Sequence, residues 1–296
     1  MTRAPEAWSG FWEGEPAAHS GATLADLPPP LRALLDAPWA ALSAALPKRA
    51  RVLDLATGGG AVLALLGAAR PDLTLTGVDS ADTPKRAGMQ LLGRVANERL
   101  PFGDQAFDAI TSRFGIEYGA REASAAEAAR VLAPGGRLVM VLHHAESAVL
   151  QHNAARRIAL AWAVGESGWL DKALALARAR RALALPVPPG FRAAPAEGRS
   201  RFPGQSVAWE FLTGVAQVLH TAPPEHGEAR LQALAAQAEG ELARLDALAA
   251  AALDHKDVGA LRAAFGAAGV TMATPARIEA PGGPLLAWRL EGRRDA

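Results

Sequence analysis

Cysteine is absent from the 296 residues, which excludes disulfide staples, thiolate metal sites and a cysteine nucleophile. An excess of charge of one sign is lacking too: 31 basic residues face 30 acidic ones, so no net field favours nucleic acid or an anionic membrane. Apolar runs of membrane-spanning length are missing, because Arg70 and Asp72 interrupt the longest candidate. Residues 1–14 have neither the basic start nor the apolar middle of a secretory signal. The expectation is a soluble, cytoplasmic chain with no membrane partner. Aromatics are scarce at 5%, and Tyr118 is the single tyrosine. Half of the residues are hydrophobic, which suffices for a large core or for a core with an appendage.

The chain is organised around residues 51–60, R-V-L-D-L-A-T-G-G-G. Val52, Leu53 and Leu55 suit a strand buried in a parallel sheet. Gly58, Gly59 and Gly60 then let backbone approach a ligand closely, and residues 61–69 read as a helix whose free N–H groups face that turn. The spacing is not that of a dinucleotide fingerprint, since counting from Gly58 puts Leu63 at the third glycine position. A phosphate-cradling loop would need a Gly-Lys-Ser/Thr ending, and no lysine follows. Asp54 instead sits inside the strand, where a carboxylate repels pyrophosphate and suits a ligand carrying positive charge.

S-adenosylmethionine is such a ligand, with a sulfonium, an ammonium and no phosphate. The stretch resembles motif I of the class I S-adenosylmethionine-dependent methyltransferases, in a D-x-A-T-G-x-G form with Ala56 and Thr57 in place of the usual glycine pair. Residues 73–78 form a second strand ending at Asp79, about 20 residues past the glycine turn, the spacing of a ribose-binding carboxylate. Residues 100–115, L-P-F-G-D-Q-A-F-D-A-I-T-S-R-F-G, resemble the family's motif IV. Residues 131–142, V-L-A-P-G-G-R-L-V-M-V-L, are similar to its helix end, turn and fifth strand. The resemblance implies an α/β fold with a Rossmann-like, seven-stranded, mostly parallel sheet, and S-adenosyl-L-methionine as cofactor.

Carried onto this chain, the family's sites fall as follows. Asp54, Ala56, Thr57, Gly58 and Gly60 would hold the methionine part. Asp79, with Ser80 beside it, would take the ribose through two acceptor oxygens. Ala96 stands near the position where the family commonly places an adenine-recognising acid, and Asn97 or Glu98 could supply that contact. Ser112, Arg113 and Phe114 would border the methyl group. Glu117 and Tyr118 follow at the same ligand face, each with a polar group that needs a partner. His143 and His144 end the fifth strand there, and either could take a proton from an acceptor. Tyr118 and His144 are the catalytic candidates, and no histidine pair has the spacing of a metal site. Methyl transfer of this kind is an in-line displacement, so alignment is the protein's main task.

The chain divides into a segment and helix (1–47, the helix at 31–46), the Rossmann-like core (48–144 with 257–296) and an Ala- and Leu-rich insertion (145–256). Trp8, Phe11 and Trp12 either staple the first segment to the core or form an aromatic lid. The insertion reads as helices at 148–164, 168–185, 205–221 and 225–254, with a loop at 186–203 rich in Pro, Gly and Arg. It would serve as a substrate cap. The last inserted helix carries Leu231, Leu234, Ala238, Leu242, Leu245 and Ala249 near an a/d seam, read as internal packing with a homodimer as the alternative. A final helix at 257–268 and strands at 270–280 and 285–291 complete the core. A small-molecule methyl acceptor is the preferred partner. The alternatives are an RNA or protein acceptor docked on the arginines at 178, 180, 181, 192, 199 and 201, and a non-catalytic S-adenosylmethionine-binding scaffold.

Overall fold

The computed structural model describes Trp8 and residues 27–295. The chain forms two compact units, Met1–Gln151 with Ala247–Ala296, and His152–Asp246. Phe11 and Trp12 lie outside the described residues.

The first unit is built on an eight-stranded sheet. Its strands are β1 (Arg51–Leu55), β2 (Thr74–Val78), β3 (Gln90–Leu92), β4 (Phe107–Arg113), β5 (Leu132–His143), β6 (Val270–Met272), β7 (Ala276–Glu279) and β8 (Leu285–Arg294). The order is β3-β2-β1-β4-β5-β8-β6, with β7 also paired to β8. The first five strands pair in parallel, and β8 runs antiparallel to β5. Strand order therefore reverses between β1 and β4, the switch point at whose carboxyl ends such sheets open a ligand crevice.

The chain has nine α-helices among the described residues. They are α1 (Pro29–Ala45), α2 (Ala61–Ala69), α3 (Arg121–Val131), α4 (Ala148–Ala161), α5 (Trp169–Arg180), α6 (Gly190–Arg201), α7 (Ser206–Thr221), α8 (Pro224–Ala251) and α9 (His255–Ala267). Successive strand residues point to opposite faces, and this sorts the core of the first unit into two layers. Val52, Val139 and Val141 pack with Leu35 and Trp39 of α1 and Leu63 of α2. Leu53, Leu138 and Met140 pack with Ala128 of α3 and Phe265 of α9.

The seven expected strands become eight because the run read as one strand over 270–280 is cut at Ala273–Pro275 into β6 and β7. Pro275 has no N–H for the ladder, and the two halves pair with different stretches of β8. Helix α9 starts earlier than expected. Asp254 caps it, accepting the Asp257 N–H while the Asp257 side chain accepts the Asp254 N–H. It stops before Gly269, whose φ of +84° supplies the left-handed C-terminal turn.

The second unit is all helical, and the stretch expected as a loop at 186–203 contains α6. Two local features override the prolines. Pro188 and Pro189 pre-set helical φ at the start, and Phe191, Ala194, Pro195 and Gly198 make a buried face at helical spacing. A Cβ at Gly198 would lie 3.0 Å from the Trp209 amide nitrogen of α7, so glycine allows that close helix contact. Leu231 and Ala238 belong to the unit's own core, with Leu234 and Leu242 packed against it. The seam on α8 is thus occupied internally from Leu231 to Leu242, while Ala249 is exposed. The arginines are engaged too: Arg178 and Arg181 with Glu228, Arg180 with the Leu219 carbonyl, Arg192 with His220, Arg199 over Trp209 and Arg201 over Trp162.

Candidate functional site

At the switch point β1 ends in a turn whose backbone needs unusual conformations. Ala56 has φ +50°, Gly58 +52° and Gly60 +82°, and Gly60 caps α2. A Cβ at Gly60 would stand 2.8 Å from the Met89 sulfur. Buried hydrogen bonds tie the turn to its neighbours. Thr57 donates its hydroxyl to Asp54 Oδ2 at 2.7 Å, and Thr111 on β4 donates to Asp54 Oδ1 at 2.7 Å. Burial pushes the Asp54 carboxyl up to about 6, opposed by those two hydroxyls and the charge of Arg113. Asp54 therefore fastens the turn and β4 together from beneath the site.

Asp79, at the end of β2, is the second anchor. Its Oδ2 accepts the Gly58 N–H at 2.8 Å and its Oδ1 accepts the Ala81 N–H at 2.8 Å. Burial raises its pKa, and the two amide donors oppose the rise. Each carboxylate oxygen still has acceptor capacity for a hydroxyl.

A cavity of about 610 Å³ opens here, within the size range of small-molecule sites. Ala56, Asp79, Ser80, Ala96, Asn97 and Glu98 line one part of its wall, and Phe114, Gly115, Glu117, Tyr118, Arg121 and Trp8 another. Ala247, Ala250 and Ala251, at the end of α8, complete it. Glu98 is held in place by the Ala120 N–H, which it accepts at 2.6 Å. Phe114, with φ +55°, stacks on His143 at 4.2 Å. The Tyr118 hydroxyl lies 3.4 Å from His143 Nε2, and its ring meets Trp8 edge-on at 6.0 Å.

The sequence candidates separate into three groups. Ala56, Asp79, Ser80, Asn97, Glu98, Phe114 and Tyr118 meet at the cavity wall. Asp54, Thr57, Gly58, Gly60 and Ser112 support it from behind; Ser112 bridges strand ends by donating to the Leu55 carbonyl and accepting the Ile116 N–H. Arg113 and His144 face elsewhere. Arg113 shares its strand face with Ala109, beneath α1, and pairs with Asp36 there at 2.8 Å. His144 points opposite to His143, by strand alternation. It stacks on Trp288 at 4.3 Å and accepts the Glu146 N–H on Nδ1.

His144→Ala is accordingly expected to cost stability, about 2–4 kcal/mol for deleting a buried, stacked ring. Affinity for a ligand of the cavity should stay within about twofold of the parent, which thermal unfolding and titration together would check.

Sequence reasoning reached Glu117 only as an unpaired polar group at the ligand face, and it did not mark the α8 alanines, whose small size was their sole signal. Glu117 sits in a short 3₁₀ turn, Ile116–Tyr118, and its Oε1 accepts the His143 backbone N–H at 2.9 Å. Burial pushes its carboxyl from 4.5 up to about 7, against the amides of His143, Glu117 and Gly115 and the charge of Arg121. Close by, burial lowers His143 to about 3 and holds the Tyr118 phenol well above its ordinary value, so neither adds charge at neutral pH.

The folded protein keeps a proton on Glu117 that the unfolded chain has already lost. Charging it costs stability that sets in as pH rises through 4.5 and is complete above about 7. That cost is on the order of 3 kcal/mol. Glu117→Gln should therefore be the more stable protein at pH 8 and about equal to the parent at pH 4.5, as urea unfolding at the two pH values would reveal.

Residues 53–140 match a family model described as a methyltransferase domain. Over 99 residues the chain is 41% identical to the demethylmenaquinone methyltransferase of Thermotoga maritima, covering 31% of this chain and 42% of that protein. Over 104 residues it is 38% identical to the ubiquinone/menaquinone biosynthesis C-methyltransferase UbiE of Geobacter sulfurreducens, covering 31% and 41%. The chain thus spans less than half the length of these curated relatives. Among solved structures, a Burkholderia thailandensis 1,6-didemethyltoxoflavin-N1-methyltransferase aligns over 89% of this chain and 79% of its own, at 12% identity and a TM-score of 0.44.

Proposed function

We propose that this chain, whose residues 53–140 match a methyltransferase domain, is a class I S-adenosylmethionine-dependent methyltransferase that binds S-adenosylmethionine at the switch point and methylates a small molecule in the adjoining cavity. The observation that carries the reading is the Asp79 carboxylate on the cavity wall, fixed by the Gly58 and Ala81 amides. A carboxylate so held offers its remaining acceptor positions to a pair of vicinal hydroxyls without having to reorganise.

The residues present fit the cofactor. Gly58 and Gly60, in the left-handed region, let the turn take its path behind the wall, and the small Ala56 side chain is what the turn presents to the cavity. Asn97, buried on the wall beside Glu98, can both donate to and accept from a purine edge. Asp54 acts by holding Thr57 and the turn rather than by touching the ligand. When bound, the cofactor supplies an activated methyl group on sulfur, already a good leaving group. The chain's own work is then alignment: Phe114 and the 116–118 turn position the acceptor.

The cavity's apolar lining by Phe114, Trp8 and the α8 alanines suits a small acceptor. The inserted helices would act as the cap that shapes substrate access. Incubation with labelled S-adenosylmethionine and separate cell fractions tests this: label should enter the small-metabolite fraction. Label entering bulk RNA or protein instead would contradict it.

A further inference from the structure

One stretch of the second unit keeps apolar side chains in water. Residues 181–186, 188 and 189 are exposed, and among them stand Leu183, Leu185, Pro186, Pro188 and Pro189. Leu183 is 59% exposed and Leu185 37%. The backbone beneath them is tied down. The Ala182 and Leu183 amides donate to the Ala179 carbonyl at the end of α5, and Val187 packs against the unit's core.

Basic side chains flank this tip. Between Asp171 and Glu197 the chain carries Lys172, Arg178, Arg180, Arg181 and Arg192 and no acidic residue. The balance of charge over the whole chain, which argues against a membrane partner, does not hold here. Arg178 and Arg181, with side chains 61% and 62% exposed, share the one carboxylate of Glu228. Arg180 and Arg192 bond a carbonyl and an imidazole, neither of them acidic. The rim of the apolar tip thus keeps a positive excess.

Nucleic acid and a second copy of the chain fit this pattern less well. Aliphatic side chains stand between the arginines, with no exposed ring on which a base could stack. A second copy of the same face would set like charges against each other. An apolar tip in a basic rim is complementary to a bilayer with anionic headgroups, where leucines enter the acyl boundary and guanidiniums meet phosphates. The prolines bring no N–H that would lose its water on entry. No helix among the described residues is long and apolar enough to cross a membrane, so the contact is with the surface.

We propose that residues 178–192 dock this protein on anionic lipid surfaces, with Leu183 and Leu185 inserted and Arg178, Arg181 and Arg192 on the headgroups. Co-sedimentation of the full chain with vesicles tests it, using phosphatidylcholine alone and phosphatidylcholine with about 30% phosphatidylglycerol. In about 0.1 M salt the parent should bind the anionic vesicles about tenfold or more tightly, and about 0.5 M salt should remove most of that advantage. The double variant Leu183→Ser/Leu185→Ser should weaken anionic binding about tenfold or more, and Arg181→Gln about threefold to fivefold. Both variants change exposed side chains, so a Tm within about 2 °C of the parent certifies their fold. Equal binding to both vesicle types, binding to neither, or unchanged anionic binding in the serine variant overturns the assignment. So does a parent dimer that the serine variant dissolves, or bulk RNA bound more tightly than the anionic vesicles, since either gives the surface to another partner.

Discussion

Asp79→Ala is expected to weaken S-adenosylhomocysteine binding by roughly 10²-fold or more, the largest loss available from any single side chain of the site. The carboxylate does two things at once. It accepts the Gly58 and Ala81 amides at 2.8 Å each, which fixes the glycine turn, and it faces the cavity where the ribose would lie. Hydrogen bonds to a charged acceptor contribute about 1.5–3 kcal/mol apiece, and alanine forfeits those to the ligand while freeing the turn. Folding stability should change far less, because burial already penalises the charge on Asp79 and water can reach the freed amides from the cavity. Asp79→Asn, with one acceptor oxygen remaining, should fall between the two. Titration calorimetry beside thermal unfolding separates binding from stability, and an unchanged affinity in Asp79→Ala would remove the anchor from the account.

Gly115→Val is expected to lower both stability and affinity. A Cβ at Gly115 would lie 2.4 Å from the Ala56 Cβ, 3.2 Å from the Ala56 carbonyl oxygen and 3.3 Å from that of Leu55. These are backbone-anchored atoms at the end of β1, and Ala56 is itself held at φ +50°, so little can move aside. Overpacking of this kind costs about 1–3 kcal/mol, or a fall in Tm of roughly 2–12 °C for a protein of this size. Relief by shifting Ala56 would displace the turn that Asp79 holds, so affinity should drop with stability. A Tm within about 1 °C of the parent would mean that β4 and the turn do not meet as described.

Much of the first unit was legible because its signals are local. A buried strand running into glycines and an acid ending the next strand each declare themselves within a dozen residues or so, whereas the Pro-Gly-Gly run expected as a turn lies within β5, where the register with β4 shifts. The site was legible where strand ends deliver side chains by topology alone, as for Asp79, Ser80, Phe114 and Tyr118. It was hidden where a single step of strand alternation decides direction. His143 and His144 are indistinguishable as letters, yet one stacks on Phe114 behind the cavity and the other on Trp288. Arg113 was hidden for a similar reason, since its partner Asp36 lies far away in sequence on α1. Helix α6 escaped because its prolines argue for a loop, and only packing against α7 reverses that argument. The break between β6 and β7 rests on one proline whose partner strand had to be known first.

The central claim is that the turn at Ala56–Gly60 and the Asp79 carboxylate hold a phosphate-free, positively charged methyl donor. Parallel calorimetric titrations of the full chain with S-adenosylhomocysteine and with NAD test it most directly. The account predicts a saturable, one-to-one heat for S-adenosylhomocysteine and none for NAD, because the turn lacks the third glycine of a dinucleotide fingerprint. Saturable heat from NAD, or none from S-adenosylhomocysteine, would contradict it.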